Sequence, residues 1–351
     1  MKKKMTALLL ALSMVCLTAC GAASSSAATS EGASAAPSTA ETSNTEKAKV
    51  TICGTNGKGD TQSIAHETFA ELLNETGLFE ATAMVSSEMG STDDVLEQAM
   101  AGAGVIAATD PARLASYVPE FGILMMPYMF DSYDELDNLM DTELYKTWTE
   151  ELKDQGMVLL TNNCMTGLRH YVTNKEIVTP EDLKGLKIRT MGSAISVNSV
   201  NAMGAIATSL NQSDAYNAIE TGVVDGGEWQ IPTIYSLRMY EVCDHISLTG
   251  HFLLTGSIVC GTSWYDTLTE EQQKALNECA VEAYGTTKEM VMEYEQKYLE
   301  EMEANGVTIT EPDKEAFRAA TEYLYTDEAT TGGADFASLR EELYEQLGIE
   351  R

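Results

Sequence analysis

Residues 92–109 read TDDVLEQAMAGAGVIAAT, and their order is helix, stop, strand. Thr92 is the expected cap of DDVLEQAMA, Gly102 closes that helix, and VIAAT (105–109) follows as a β-rich run. A second passage of the same kind, SDAYNAIETGVVDGGEW (213–229), begins with Ser213 as cap, ends its helix at Gly222 and starts a strand at Val223-Val224. Before the first lies a strand KVTICG (49–54) and a helix from Glu67 to Glu75 with Phe69, Leu72 and Leu73 on one side. Short apolar strands alternating with helices define an α/β fold with a largely parallel sheet. One such unit in each half points to two similar lobes.

The chain termini add two further elements. Thr269 followed by Gln272 is a capping box, and Leu276, Ala280, Ala283 and Val291 continue an apolar face until Asn305-Gly306 stops it. A helix of roughly 35 residues is about 50 Å long, enough to bridge two lobes. At the other end, MKKKMTALLLALSMVCLTAC (1–20) carries a basic start and an apolar run too short for a membrane span. It reads as an export signal over residues 1–19. Leu17-Thr18-Ala19 before Cys20 and Gly21 is similar to a bacterial lipobox, which makes Cys20 the expected lipidation site. Residues 20–47 are rich in Ala, Ser, Thr and Glu and poor in large apolar side chains. They form the expected tether, with a reach of roughly 25 to 30 Å.

About 300 residues remain for the folded body, enough for two lobes of one protein. The formal charge is −32, which becomes about −35 without the three signal lysines. Nucleic acid is excluded as a partner, and the membrane is reached only through the lipid anchor. Cys53, Cys164, Cys243, Cys260 and Cys279 fit no metal spacing and read as buried thiols, although export also permits a disulfide. No nucleophile elbow, phosphate loop, dinucleotide fingerprint or H-E-x-x-H is present, and the histidines are His66, His170, His245 and His251. No catalytic group, cofactor or metal is expected, and binding in a cleft between lobes is the reading that remains.

One residue sharpens that reading. In EDLKGLKIRT (181–190), Arg189 follows Ile188 inside a short strand. A polar outward face accounts for a strand arginine; so does a ligand. The runs GLRHYVTNKEIVTPEDLKGLKIRT (167–190), AYNAIETGVVDGGEWQIPTIYS (215–236), YEVCDHISLTGH (240–251) and SYVPEFGILMMPYMFDSYD (116–134) resemble the solute-binding subunits of tripartite ATP-independent periplasmic (TRAP) transporters, the DctP family. The resemblance extends over about residues 48 to 300. It implies a two-lobed, periplasmic-binding-protein-like (Venus flytrap) body that closes on a small organic acid and delivers it to a membrane permease.

The same resemblance implies that Arg189 receives the ligand carboxylate, for which a planar fork of donors is suited. Arg169 matches a second family arginine, and His251 matches a position lining the site or the hinge. Trp229, with Glu228 before it, stands where many members have Asn, and Gln212 stands where many have an aromatic. A Glu-Trp pair also occurs in a branch that binds 2-oxo acids through a metal ion, but the other motifs do not follow that branch. Asn56, in the turn Asn56-Gly57-Lys58, and Ser91, at a helix start, are further candidate contacts. Lobe I is read as 48–165 with part of 255–305, and lobe II as 166–254 with the C-terminal helices to 351. Two other readings fit the same residues: a receptor for an ATP-driven importer or sensor kinase, and a surface hydrolase or lyase using acidic side chains.

Overall fold

A computed structural model describes residues 46–350. The export signal, Cys20 and most of the tether lie outside the described residues. The first half of the body runs β1 (Ala48–Cys53), α1 (Thr61–Glu75), β2 (Phe79–Met84), α2 (Thr92–Met100), β3 (Val105–Thr109), α3 (Pro111–Leu114) and α4 (Glu143–Asp154). The 17-residue strand β4 (Met157–Thr173) follows. Beyond it come β5 (Lys187–Thr190), α5 (Ala194–Ala202), β6 (Ile206–Ser209), α6 (Gln212–Glu220), β7 (Gly226–Gln230), α7 (Ile231–Ser236) and β8 (His245–Ser247). The chain then forms β9 (Leu253–Gly261), α8 (Thr262–Tyr265), α9 (Glu270–Gly285), α10 (Thr287–Ala304) and β10 (Thr308–Thr310), and ends in short helices to Leu347.

The strand order is β2-β1-β3-β9-β4-β7-β5-β6, with β8 on β4 and β10 on β8. Both lobes are built on this arrangement, and β4 belongs to both. Its first part, to Leu168, pairs with β9, while Arg169 to Thr173 pair with β7 and Tyr171 to Thr173 also with β8. The change of partner falls beside Gly167, whose φ of +118° is open to glycine and strained for other residues. Successive β4 residues feed opposite faces: Tyr171 packs with Ile188, Val200 and Phe317, and Val172 with Ile219, Trp229 and Ile246. On the other side of the molecule, Phe69, Leu73 and Phe79 pack under α1 and α9, each burial worth about 1.5–3 kcal/mol.

Five expectations shift. The sheet is mixed rather than largely parallel, with five parallel and four antiparallel pairings among the described residues. Every antiparallel pairing involves β4 or β9, which carry the chain between lobes without a βαβ crossover. Ser91, not Thr92, caps α2, because its hydroxyl and Asp94 close a capping box. Asn211 rather than Ser213 precedes the first turn of α6, and β7 begins at Gly226, the left-handed Gly222 leaving Val223 exposed. α1 starts at Thr61, capped by Asp60.

The long helix forms with its capping box at Thr269 and Gln272, but it is interrupted at Thr286. The Thr286 and Thr287 hydroxyls turn back onto the carbonyls of Ala283 and Tyr284 at 2.8 and 2.6 Å, a competition that bends helices. α9 packs on α1 and β4, and α10 on α7 and β4, so the two segments serve different lobes. All five cysteines of the body are free and buried. No helix among the described residues is long and apolar enough to cross a membrane.

Candidate functional site

The carboxyl ends of β1, β3, β5 and β6 converge with the middle of β4 on a cavity of about 310 Å³. That is where open parallel sheets place ligands, since the loops there are free to carry polar groups and the helix N-termini point inward. The N-terminal residues of α2 and α6 both line it, one from each lobe.

Three arginines reach the cavity, and their surroundings differ. Arg169 is buried, and its Nε and Nη2 donate to the Glu228 carboxylate and carbonyl. Glu228 also accepts from the Thr190 hydroxyl at 2.7 Å. Burial alone would raise the Glu228 pKa, but Arg169 and His251 together outweigh it and hold the carboxyl at about 2. Arg113, at the end of α3, donates to Asp93 at 2.8 Å and to Asp110, the cap of its own helix.

Arg189 is different. It is 4% exposed, its Nε donates to the Leu210 carbonyl at 3.1 Å, and its guanidinium lies 5.0 Å above the Trp229 ring. No carboxylate pairs with it among the described residues, and its buried Nη1 has no hydrogen-bond partner. Burial, followed by the nearby charge of Arg169, pulls its pKa down to about 9, with Glu228 opposing. The group therefore remains charged at neutral pH in a setting that disfavours its charge. A buried cation with an unused donor on a cavity wall is an anion site by electrostatics alone.

Of the residues expected in the site, Arg189, Arg169, Gln212, Asn56 and Ser91 line the cavity. Gln212 donates from one lobe to the Asn56 side chain at 2.9 Å in the other, so the two bridge the cleft. The Asn56 amide in turn donates to Asp60, and the Ser91 hydroxyl is engaged by Asp94, so neither is idle. Glu228, Trp229 and His251, also expected at the site or, for His251, at the hinge, stand off the cavity wall in this structure. β7 is buried along its whole length, and Glu228, Trp229 and His251 are each fully buried. Glu228 fixes Arg169, and Trp229 carries Arg189. His251 accepts or donates at the Thr249 hydroxyl, 2.7 Å away, and burial lowers its pKa against the pull of Glu228. A Cβ at Gly227 would lie 2.2 Å from the Trp229 ring, so glycine there is what lets the indole sit beneath Arg189.

His66 and His245 lie away from the cavity, and the His170 ring accepts from the Gly250 amide. No group of three metal-type side chains converges among the described residues. Sequence reasoning missed Arg113, Thr109 and Thr166, which line the cavity. The available signal was the Thr109-Asp110-Pro111 start of a helical turn immediately after a strand.

Two α/β lobes that share β4 and enclose a polar cavity with a buried cation are the build of a ligand receptor. The chain belongs to the family of bacterial extracellular solute-binding proteins, family 7 (DctP), whose model matches residues 53–331. A solute-binding protein of Chromohalobacter salexigens is 29% identical, covering 74% of this chain and 79% of that one. A TRAP periplasmic solute-binding protein of Actinobacillus succinogenes, solved with L-galactonate, superposes with TM-score 0.81 at 28% identity over 86% of this chain and all of its own. Another from Fusobacterium nucleatum, solved with sn-glycerol 3-phosphate, gives 0.79 at 25% identity over 85% of this chain and 98% of its own. The family consists of solute receptors for TRAP transporters, not enzymes.

Proposed function

We propose that this receptor captures a small organic acid, seats its carboxylate on Arg189 with Arg169 alongside, and closes its two lobes on it before delivery to a TRAP permease. The observation that carries this is the buried Arg189 guanidinium with a vacant Nη1 on the cavity wall. The galactonate held by the Actinobacillus succinogenes protein supports the same ligand chemistry. Gln212 and Asn56 act across the mouth, and Ser91 stands at the α2 terminus. Glu228, Trp229 and His251 act from behind by fixing the arginines. The lobes are taken as 48–165 with part of 255–305, and 166–254 with the C-terminal helices. The test is thermal unfolding of the purified chain against a panel of organic acids and the matching neutral sugars. A ligand at a hundredfold excess over Kd stabilises by about 2.7 kcal/mol, so one acid class should raise Tm while neutral sugars leave it unchanged. Stabilisation by neutral sugars and by no acid would refute the proposal.

The receptor is further proposed to be exported by residues 1–19 and held at the cell membrane by lipid on Cys20. The lipobox-like run before Cys20 supports this. Metabolic labelling with an alkyne fatty acid should mark the wild-type chain and leave Cys20→Ser unlabelled and released from the membrane fraction. Equal labelling of both would remove Cys20 from that role.

A further inference from the structure

The ligand's charge can be read from how the cavity's own charges are already spent. Arg169 is neutralised by Glu228. Arg113 faces two carboxylates, Asp93 and Asp110, so that wall carries a net negative charge before any ligand arrives. Asp214, exposed at the start of α6, adds another at the rim. Of the three cavity arginines, Arg189 alone has no carboxylate partner among the described residues, which leaves room for one anionic group. The remaining wall is uncharged, with hydroxyl and amide side chains interspersed with Ala108, Met191 and Leu254. Thr109, next to Asp110 on the first lobe, is buried and lines the cavity, and its hydroxyl has no partner among the described residues. Gln230 and Thr166 are joined at 3.2 Å on the β4–β7 side.

We infer that the cavity selects a polyhydroxylated monocarboxylate, with its single carboxylate on Arg189 and a hydroxyl group read by Thr109 beside the Arg113–Asp110 pair, and that it rejects dicarboxylates and phosphate monoesters. This rests on the function proposed above and narrows it. A hydroxyl can donate to a carboxylate oxygen and accept from Arg113 or Thr109, whereas a second anionic group would meet Asp93 and Asp110. Overall similarity does not make this choice, because relatives of nearly equal likeness hold a sugar acid or a phosphate ester.

The experiment is calorimetric titration of the purified chain with aldonates and uronates, each beside its aldarate, its neutral alditol and a phosphate monoester of similar size. At least one hydroxy monocarboxylate should bind, with its aldarate on the order of 100-fold weaker, because a second buried carboxylate finds no unpaired cation. Thr109→Val should weaken that acid by about tenfold and leave the unhydroxylated carboxylate of equal length unaffected, since only a hydroxyl loses its partner. Asp93→Asn, at an exposed side chain, should narrow the gap between aldonate and aldarate. Equal or tighter binding of an aldarate or phosphate monoester would overturn the charge selection. If that binding still required Arg189, the receptor assignment would stand. Binding independent of Arg189 would overturn both.

Discussion

Arg189→Ala is expected to abolish ligand binding without unfolding the protein. Removing the cation leaves the ligand carboxylate buried and unpaired, a loss on the order of 2–5 kcal/mol, or roughly 30- to 5,000-fold in Kd. Arg189→Lys should recover little of it, because an ammonium neither forks onto a carboxylate nor stacks on Trp229 as a guanidinium does. Ligand-free stability should move the other way. The folded-state pKa of Arg189, about 9, lies below that of an unfolded arginine, so the unfolded chain binds more protons between the two values. The charged group therefore costs stability at neutral pH, and the cost fades as pH rises above about 9. Arg189→Met should keep or raise the ligand-free Tm while removing the ligand-induced rise. Titration calorimetry and thermal unfolding on the same samples separate the two effects, and a variant that still binds its acid normally would refute the role.

Glu228→Gln should have the largest effect on the fold. It leaves the buried Arg169 without a counter-charge, and breaking a buried pair from one side costs about 3–5 kcal/mol. The sign with pH follows from the Glu228 carboxyl, held at about 2 when folded. Its stabilising contribution is present above the ordinary carboxylate range and is lost as pH falls through that range towards 2. Melting curves should therefore show a wide gap between wild type and Glu228→Gln at pH 7 that closes on acidification. A gap that is absent at neutral pH would mean that Arg169 does not depend on Glu228.

The α/β class and the bridging helix were legible because each rests on local pattern, glycine stops and a capping box; Arg189 stood out as a cation among apolar strand residues, whereas Arg169 entered only through the family resemblance. The mixed sheet was not, since nothing in the composition of β4 or β9 states the direction of its neighbours. Facing was also hidden. β7 is buried on both sides, so alternation cannot say which of Glu228, Trp229 and Gln230 meets the cleft, and only Gln230 does. Arg113 was overlooked because it stands in a one-turn helix whose start looks like an ordinary Asp-Pro turn, and its importance comes from Asp93, twenty residues away in sequence. His251 was expected at the site or the hinge because it matches such a position in the family. In the fold it stacks on Tyr171, one layer back.

The most direct test of the account is a crystal structure of the chain with the best-binding acid of the panel. The account places one ligand carboxylate within hydrogen-bonding distance of Arg189 Nη1, about 2.7–2.9 Å, inside the cavity between the lobes. A carboxylate held elsewhere, with Arg189 Nη1 still unpaired, would contradict it.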